Sequence, residues 1–436
     1  MADGALDLDT VQAFMRERRV DGWLLHDFRN TNPVFLRLFP HTGSTRRHVT
    51  RRSFVLIPCS GPATLVCQSL DEGAFAGSPS TARLERRVYT GWKQLHDVLG
   101  SLLGPHSAAH GPALAGSGRA RRIAMEYSGE DALPVMSITP AGVVELARAL
   151  GAEVVSSADL VQVSAARWGA AARANHAKAS ALVAQIKDET FQFIGRELAA
   201  GRTILEFDAA EFVRSRFQAC GLEWPDGPIV SVNAHAADPH YEPSTRTPTP
   251  IRPGDWVLLD LWARLPGDEN IYSDITWTAY AGTRVPPAMR KVFDLVREAR
   301  DAALRLAQES WKASRAQGKS AVQGWQLDQA ARDVFDRAGM LAHVKHRTGH
   351  SLSAGALVHG IGMNLDNFET RDTREMLPEI GFTIEPGLYL SREAAESAFG
   401  AGTPSFGVRN EINVYVDPRE GPVVTSCVQD DIVLLA

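Results

Sequence analysis

The residues of this sequence whose types and spacing could do chemistry fall into a histidine-rich loop and four carboxylates embedded in apolar strands. The loop is HRTGHSLSAGALVHGIG, residues 346–362, with His346, His350 and His359 among glycines and serines. A neutral imidazole can ligate a metal, shuttle a proton or donate one hydrogen bond. His346 and His350 are four apart, which suits one helix face, but no glutamate lies between them and the H-E-x-x-H zinc motif is absent. Spacing alone leaves two readings open: metal ligands, or loop histidines bonded to backbone.

The first two carboxylates lie in DWVLLDLWARLPGDENIYSDITWTAYAG, residues 255–282. Its flanks alternate, with turn chemistry at LPGDEN between them. Folding the segment about Gly267 pairs residues whose numbers sum to 534, which sets Asp260 opposite Asp274. Opposed carboxylates in apolar strands repel. Their presence requires a protonated partner, a solvent edge or a cation between them. Downstream, GFTIEPGLYL (381–390) ends an apolar strand on Glu385, and FGVRNEINVYVD (406–417) carries Glu411 with Arg409 two residues away on the same face. Taken singly, an Arg–Glu pair on a strand face contributes little.

In order, Asp260, Asp274, a histidine, Glu385 and Glu411 resemble the five ligands of the metallopeptidase family that includes methionine aminopeptidase, aminopeptidase P and prolidase. Four motifs carry the resemblance over roughly residues 255 to 416: DLWARLPGDENIYSDITWT, HRTGHSLSAGALVHGIG, FTIEPGLY and GVRNEINV. The fold it implies is α+β with a pita-bread catalytic domain. DGWLLHDFRNTNPVF and RRSFVLIP resemble the creatinase-like α/β N-terminal domain of the family's longer members. The resemblance makes His350 the ligand histidine and places His346 near the substrate. His359 and His240, in PHYEP, become the groups that hold the peptide carbonyl or its oxyanion, with His235 as the rival of His240. Glu385 is implied to be ligand and general base, Asp274 and Glu411 bridging ligands, Asp260 a chelating one. Arg409 and Tyr389 would orient the ligands, and Arg371 or Arg374 would hold a substrate carboxylate.

Two departures from the family pattern stand out. Asp260 and Asp274 are three residues further apart than usual, and the interval from His350 to His359 is two longer.

Four carboxylates and one neutral imidazole carry a charge of −4, which two divalent cations would balance. Oxygen-rich donors favour a hard ion, and the resemblance implies manganese, with cobalt or zinc as alternatives. The implied reaction is hydrolysis of the Xaa-Pro bond by a metal-bridging hydroxide, on dipeptides (prolidase) or on longer peptides (aminopeptidase P). A creatinase-like hydrolase and an inactive binding scaffold on the same fold are the competing readings, and the filled ligand positions argue against both.

These residues need elements to position them. The chain has 436 residues and a net charge of −5 (46 − 51), which gives no electrostatic footprint for nucleic acid or an anionic membrane. Four scattered cysteines define neither a zinc ribbon nor a disulfide framework. No signal peptide and no spanning apolar stretch is read, so a cytoplasmic protein is expected. The resemblance adds a homodimer. A basic cluster, RRHVTRRSF from Arg46, reads as a solvated edge or an oligomer contact.

Residues 1–163 read as alternating helix and strand, and the hairpin RSFVLIP–CSGP–ATLVCQS is the clearest unit. An Ala-rich stretch without proline, 164–198, predicts a long helix and the start of the catalytic domain, 164–436. Further helices are predicted over 204–221, 287–311 and 322–340.

Overall fold

A computed structural model describes residues 6–40, 49–76, 79–104, 120–317 and 321–435. The first part of the basic cluster, residues 46–48, lies outside the described residues. The chain divides into one compact unit ending at Ala165 and a second from Ala166 to Ala436.

The first unit is a six-stranded sheet in the order β4-β3-β2-β1-β5-β6. Its strands are β1 (Gly22–Phe28), β2 (Arg52–Pro58), β3 (Thr64–Gln68), β4 (Glu85–Tyr89), β5 (Arg121–Met125) and β6 (Ala152–Ser156), with helices α1 (Leu8–Glu17), α2 (Pro33–Leu38), α3 (Trp92–Leu103), α4 (Ala141–Ala149) and α5 (Ala158–Val161). β2 and β3 form the predicted antiparallel hairpin. Leu95, Leu99, Leu102 and Leu103 of α3 recur at helical spacing and bury against Leu56, Val66 and Ile123 of the sheet. Glu126 is buried just beyond β5 and accepts hydrogen bonds from Trp23, Asn32 and Ser157.

The second unit opens with α6 (Ala170–Ala199), which starts later than the sequence suggests. Gly169 is extended, and Trp168 turns inward to pack with Leu352 and Tyr415, its indole N–H donating to the Leu352 carbonyl at 2.7 Å. Burial of one indole thus sets the helix start. Next come β7 (Ile204–Leu205), α7 (Glu206–Ala219), β8 (Ile229–Val232), β9 (Pro250–Ile251), β10 (Trp256–Ala263), β11 (Ser273–Tyr280), α8 (Pro287–Gln317) and α9 (Gly324–Arg337). Gly221, with φ +66°, ends the turn after α7, as the glycine cap predicted.

The remaining elements are β12 (Ser351–Leu352), β13 (Gly381–Ile384), β14 (Gly387–Leu390), α10 (Arg392–Phe399), β15 (Phe406–Arg409), β16 (Ile412–Asp417), β17 (Gly421–Val424) and β18 (Val433–Leu434). They form a β18-β11-β10-β8 sheet, a β12-β13-β16-β17 sheet and two-stranded β14-β15 and β7-β9 ladders.

β10 is buried along nearly its whole length. The sequence alternation therefore does not mark a solvent face here, because the strand is covered on both sides. The β10–β11 register differs from the sequence-based pairing. Asp260 lies opposite Thr276, and Asp274 opposite Trp262, so paired numbers sum to 536. The turn is centred one residue later because Asn270 folds back, its backbone N–H bonding to Gly267 and its side chain to Pro266. Side chains repeat every two residues along a strand, so a shift of two keeps both aspartates on one face while making them diagonal neighbours.

Glycine permits a close backbone approach beside His350. A Cβ at Gly349 would lie 2.1 Å from the Thr383 carbonyl oxygen. Gly349→Ala is expected to cost about 1–3 kcal/mol through forced separation of packed backbones. A chemical-denaturation midpoint equal to that of the parent chain would contradict this packing.

Candidate metal centre

Asp260 projects from β10 and Asp274 from β11; His350 immediately precedes β12, Glu385 follows β13, and Glu411 lies between β15 and β16. Two sheets therefore supply the cluster. Asn413, on β16, joins them: its side-chain oxygen accepts from the Asp274 N–H at 3.0 Å, and its amide donates to the Asp274 carbonyl. One side chain imitates a strand pairing where no ladder exists.

All five groups are buried or nearly so. His350 Nδ1 faces the Ser351 carbonyl at 3.1 Å, so Nδ1 carries the proton and Nε2 presents its lone pair. That nitrogen lies 3.3 Å from Asp274 Oδ2 and 3.4 Å from Glu385 Oε1. Burial holds the His350 pKa below its usual value, against the pull of Glu385. A neutral imidazole aimed at two carboxylates has no proton to share with them. Asp274, His350 and Glu411 each offer a ligand atom within 4.8 Å of the others. Glu411 Oε1 is buried and has no hydrogen-bond partner among the described residues. An orphaned carboxylate oxygen among hard donors fits a divalent cation.

The electrostatics agree. Burial, reinforced by Asp274 and Glu385 and opposed by Arg409, pushes Asp260 up to about 7. Burial and the neighbouring carboxylates also push Asp274 and Glu411 well above their ordinary values. Glu385 moves the other way: burial raises it, but His350, Arg409, His346 and His359 together outweigh burial. With the imidazoles neutral, Arg409 is the contribution that persists. It is fully committed to this cluster: Nη2 donates to Asp260, Nε to Thr276 Oγ1 at 2.8 Å, and Nη1 to the Tyr389 hydroxyl at 3.4 Å. Thr276 Oγ1 in turn lies 3.0 Å from Asp260 and 2.8 Å from Glu411. It has one proton for two carboxylates, so a hydroxyl alone leaves one acceptor short.

His346 is joined to the same network. Its Nδ1 donates to the Arg347 carbonyl, and Nε2 accepts from Tyr389 Oη at 2.6 Å. Burial lowers its pKa to about 4 and raises that of Tyr389 to about 12, so both are neutral near pH 7. Tyr389 thereby couples His346 to Arg409. His359 lies on the exposed rim, with its ring centroid 4.2 Å from that of His350. Its loop is fastened to the β10–β11 turn, where buried Arg264 donates to the Gly355 carbonyl at 2.5 Å and Tyr272 Oη to the Ala356 carbonyl at 3.2 Å.

Other expected residues make no hydrogen bond or ion pair with the five ligands among the described residues. His240 is exposed, and its one hydrogen bond among the described residues runs from its backbone N–H to Asp238. The rival, His235, is the anchored one: Nδ1 donates to buried Glu206 at 3.0 Å, and its ring stacks on Tyr241. Arg374 is 1 % exposed, and its guanidinium is spent on fully buried Asp372 and the Ile361 carbonyl. A cation so buried and already neutralised by a carboxylate is poorly placed to hold a second one. Arg371 is exposed, with its guanidinium over the Trp325 ring.

Sequence reasoning missed Thr276, Asn413, Thr383 and Asp328. Thr383 Oγ1 joins the His350 backbone to Glu385, and Asp328 of α9 accepts from the Thr348 and Asn367 N–H groups. Thr276 and Asn413 each lie two residues after a ligand, so period-two reading of the strands could have found them. Asp328 leaves no such signal.

Two outcomes follow from this geometry. Above about pH 7.5 the buried histidines are essentially neutral in both folded and unfolded chains, while Asp260, Asp274 and Glu411 bind protons more tightly folded than unfolded. The folded state then holds more protons, so stability of the chelator-stripped protein falls as pH rises. Divalent cation should remove that slope in thermal melts, and a slope unchanged by metal would refute the site. Separately, Asp372→Ala strands the Arg374 charge and should cost about 3–5 kcal/mol, whereas Arg371→Ala should alter the unfolding free energy by no more than about 0.5 kcal/mol.

Comparison with known proteins gives the family and the fold. Residues 174–418 match metallopeptidase family M24. The Xaa-Pro dipeptidase of Lactobacillus helveticus is 30% identical over 165 residues, 37% of this chain and 38% of that protein. The probable dipeptidase PepE of Mycobacterium tuberculosis is 30% identical over 194 residues, 44% of this chain and 45% of that protein. The matches thus span less than half the length of these curated relatives. Across the whole fold, a dipeptidase PepE structure from Mycobacterium ulcerans has a TM-score of 0.63 at 21% identity, covering 98% of this chain and 96% of that one. A prolidase from Thermococcus sibiricus gives 0.56 at 18%, covering 98% of each chain. The α+β, pita-bread architecture expected from the motifs is the fold of this chain.

Proposed function

The chain belongs to metallopeptidase family M24, and from that premise we propose that it hydrolyses the bond between a first residue and a following proline, preferring dipeptides. The carrying observation is the buried cluster of Asp260, Asp274, His350, Glu385 and Glu411, short of positive charge and with Glu411 Oε1 unpartnered. Two divalent cations, manganese foremost and cobalt or zinc as alternatives, fit its oxygen-rich donor set. When bound, they supply a nucleophile active at neutral pH and polarise the peptide carbonyl.

The chain's own groups do the rest. Asp260 would chelate one cation, His350 and Glu385 the other, with Asp274 and Glu411 bridging. Arg409 opposes protonation of Asp260 and fixes its angle, and Tyr389 steadies Arg409 from behind. Glu385, kept acidic, is available to accept a proton and pass it to the leaving proline nitrogen. His359, on the rim beside His350, and His240 would hold the carbonyl oxygen as charge develops on it. Neutral His346 would line the substrate side through its bond to Tyr389.

A free C-terminal carboxylate needs a cation. Arg371 suits that role, since its guanidinium is exposed and bound to no carboxylate among the described residues, whereas Arg374 is already neutralised by Asp372. The dipeptide preference draws on the relatives named as dipeptidases. The second reading, an aminopeptidase P, is favoured by the likeness to an X-Pro aminopeptidase structure from Thermotoga maritima, TM-score 0.54. Residues 1–163 would serve as a creatinase-like domain and 164–436 as the catalytic one, in a cytoplasmic homodimer. No described helix is long and apolar enough to cross a membrane.

Chelator-stripped protein restored with manganese should release leucine from Leu-Pro faster than from Leu-Pro-Gly. Faster cleavage of the tripeptide would make it an aminopeptidase P. Silence on both with manganese bound would remove the proline-peptidase reading and leave the metal site.

A further inference from the structure

Trp262 follows Asp260 on the site face of β10, and its cross-strand partner is Asp274. Directly opposed residues have Cβ atoms about 5 Å apart, so the indole begins beside a metal-ligand carboxylate. Its far end is fixed. Nε1–H donates to Asp226 Oδ1 at 3.0 Å, and the ring lies so close to Gly227 that a Cβ there would come 2.4 Å from Cη2. Gly227 has φ +71°, so two demands select glycine at that position.

The segment carrying Asp226 leaves the β8–β10 ladder. Ile229 pairs with Asp260 and Glu223 with Arg264, so residues 224–228 oppose only Leu261–Ala263 and bulge outward. Asp226 is exposed on that bulge. The bulge therefore holds a carboxylate over the rim of the cluster.

This carboxylate has no cation. Among the described residues, no Lys, Arg or His pairs with Asp226. The two neighbouring arginines are engaged elsewhere: Arg264 with Asp268, Glu223 and the Gly355 carbonyl, and Arg214 with Glu211 and the Gly227 carbonyl. Its one anchor is the neutral indole N–H, which positions the charge without cancelling it. Asp226 also lies near enough to Asp274 and His359 for its charge to act on both. A carboxylate pinned at a site mouth beside an indole face can receive an ammonium or guanidinium through both a charge-assisted hydrogen bond and a cation–π contact.

Resting on the Xaa-Pro reading, we propose that Asp226 and Trp262 form a subsite for a basic side chain on the first residue of the substrate. The scissile carbonyl must sit at the inner carboxylates, and the α-amine adjoins it, within their reach. Proline carries no long side chain. The first side chain is the substrate group able to reach outward along β10 to the bulge.

The test compares kcat/KM for Arg-Pro and Leu-Pro in parent, Asp226→Asn and Trp262→Phe proteins, each loaded with manganese. The parent should favour Arg-Pro, and Asp226→Asn should lower the Arg-Pro to Leu-Pro ratio by about tenfold, as expected for loss of a charge-assisted contact. Trp262→Phe keeps a ring but releases the carboxylate, and should lower the ratio in the same direction. A parent indifferent to the first residue, or variants that lose both substrates equally, would overturn the subsite while leaving the Xaa-Pro reading intact. A parent that cleaves neither dipeptide would remove both.

Discussion

Burial of like charge is the constraint on which this structure turns. Four carboxylates converge from two sheets with little exposure to solvent, and each raises the cost of ionising the others. Strands alone cannot hold such a group together, because the repulsion acts to separate them. The surrounding bonds oppose that separation in two ways. Asn413 ties one sheet to the other at Asp274, and Arg409 brings a permanent positive charge to Asp260. Thr276 and Thr383 supply hydroxyls that fix carboxylate angles without adding charge. Protein groups hold the carboxylates in place but leave Glu411 Oε1 unpartnered.

The same constraint settles the roles of the histidines. A charged imidazole would relieve the repulsion, yet burial keeps His346 and His350 neutral. Their tautomers are set from outside the cluster by carbonyl oxygens, which turn each Nε2 towards the chemistry. Position and protonation are thus determined by backbone geometry rather than by the carboxylates themselves.

Much of this was legible in the sequence because strands write their faces at period two. Asp260 and Asp274 could be placed on one face from parity alone, whereas Glu411 sits in the break between β15 and β16, where the expected single strand passes from one ladder to another. The register of the β10–β11 pair could not be read that way, since it depends on how Asn270 folds the turn, and parity survives a shift of two. The start of α6 was misjudged for a similar reason: alanines promise helix, but the Trp168 indole is worth more buried than the extra turn. His240 was favoured over His235 on its neighbours in sequence, whereas the anchoring of His235 depends on Glu206, twenty-nine residues away. Arg374 illustrates the limit most clearly. A solvated charged loop and a buried ion pair have the same composition, and only packing against Asp372 separates them.

The tether between the β10–β11 turn and the His359 loop bears on how this chain departs from its family. These are the two places where the intervals between site residues are longer than the resembled pattern, and Arg264 and Tyr272 bind one to the other. The added lengths therefore form one piece of architecture. Trimming either loop alone would leave a buried guanidinium and hydroxyl without carbonyls, or carbonyls without donors. A chain of this lineage could gain or shed them only as a pair.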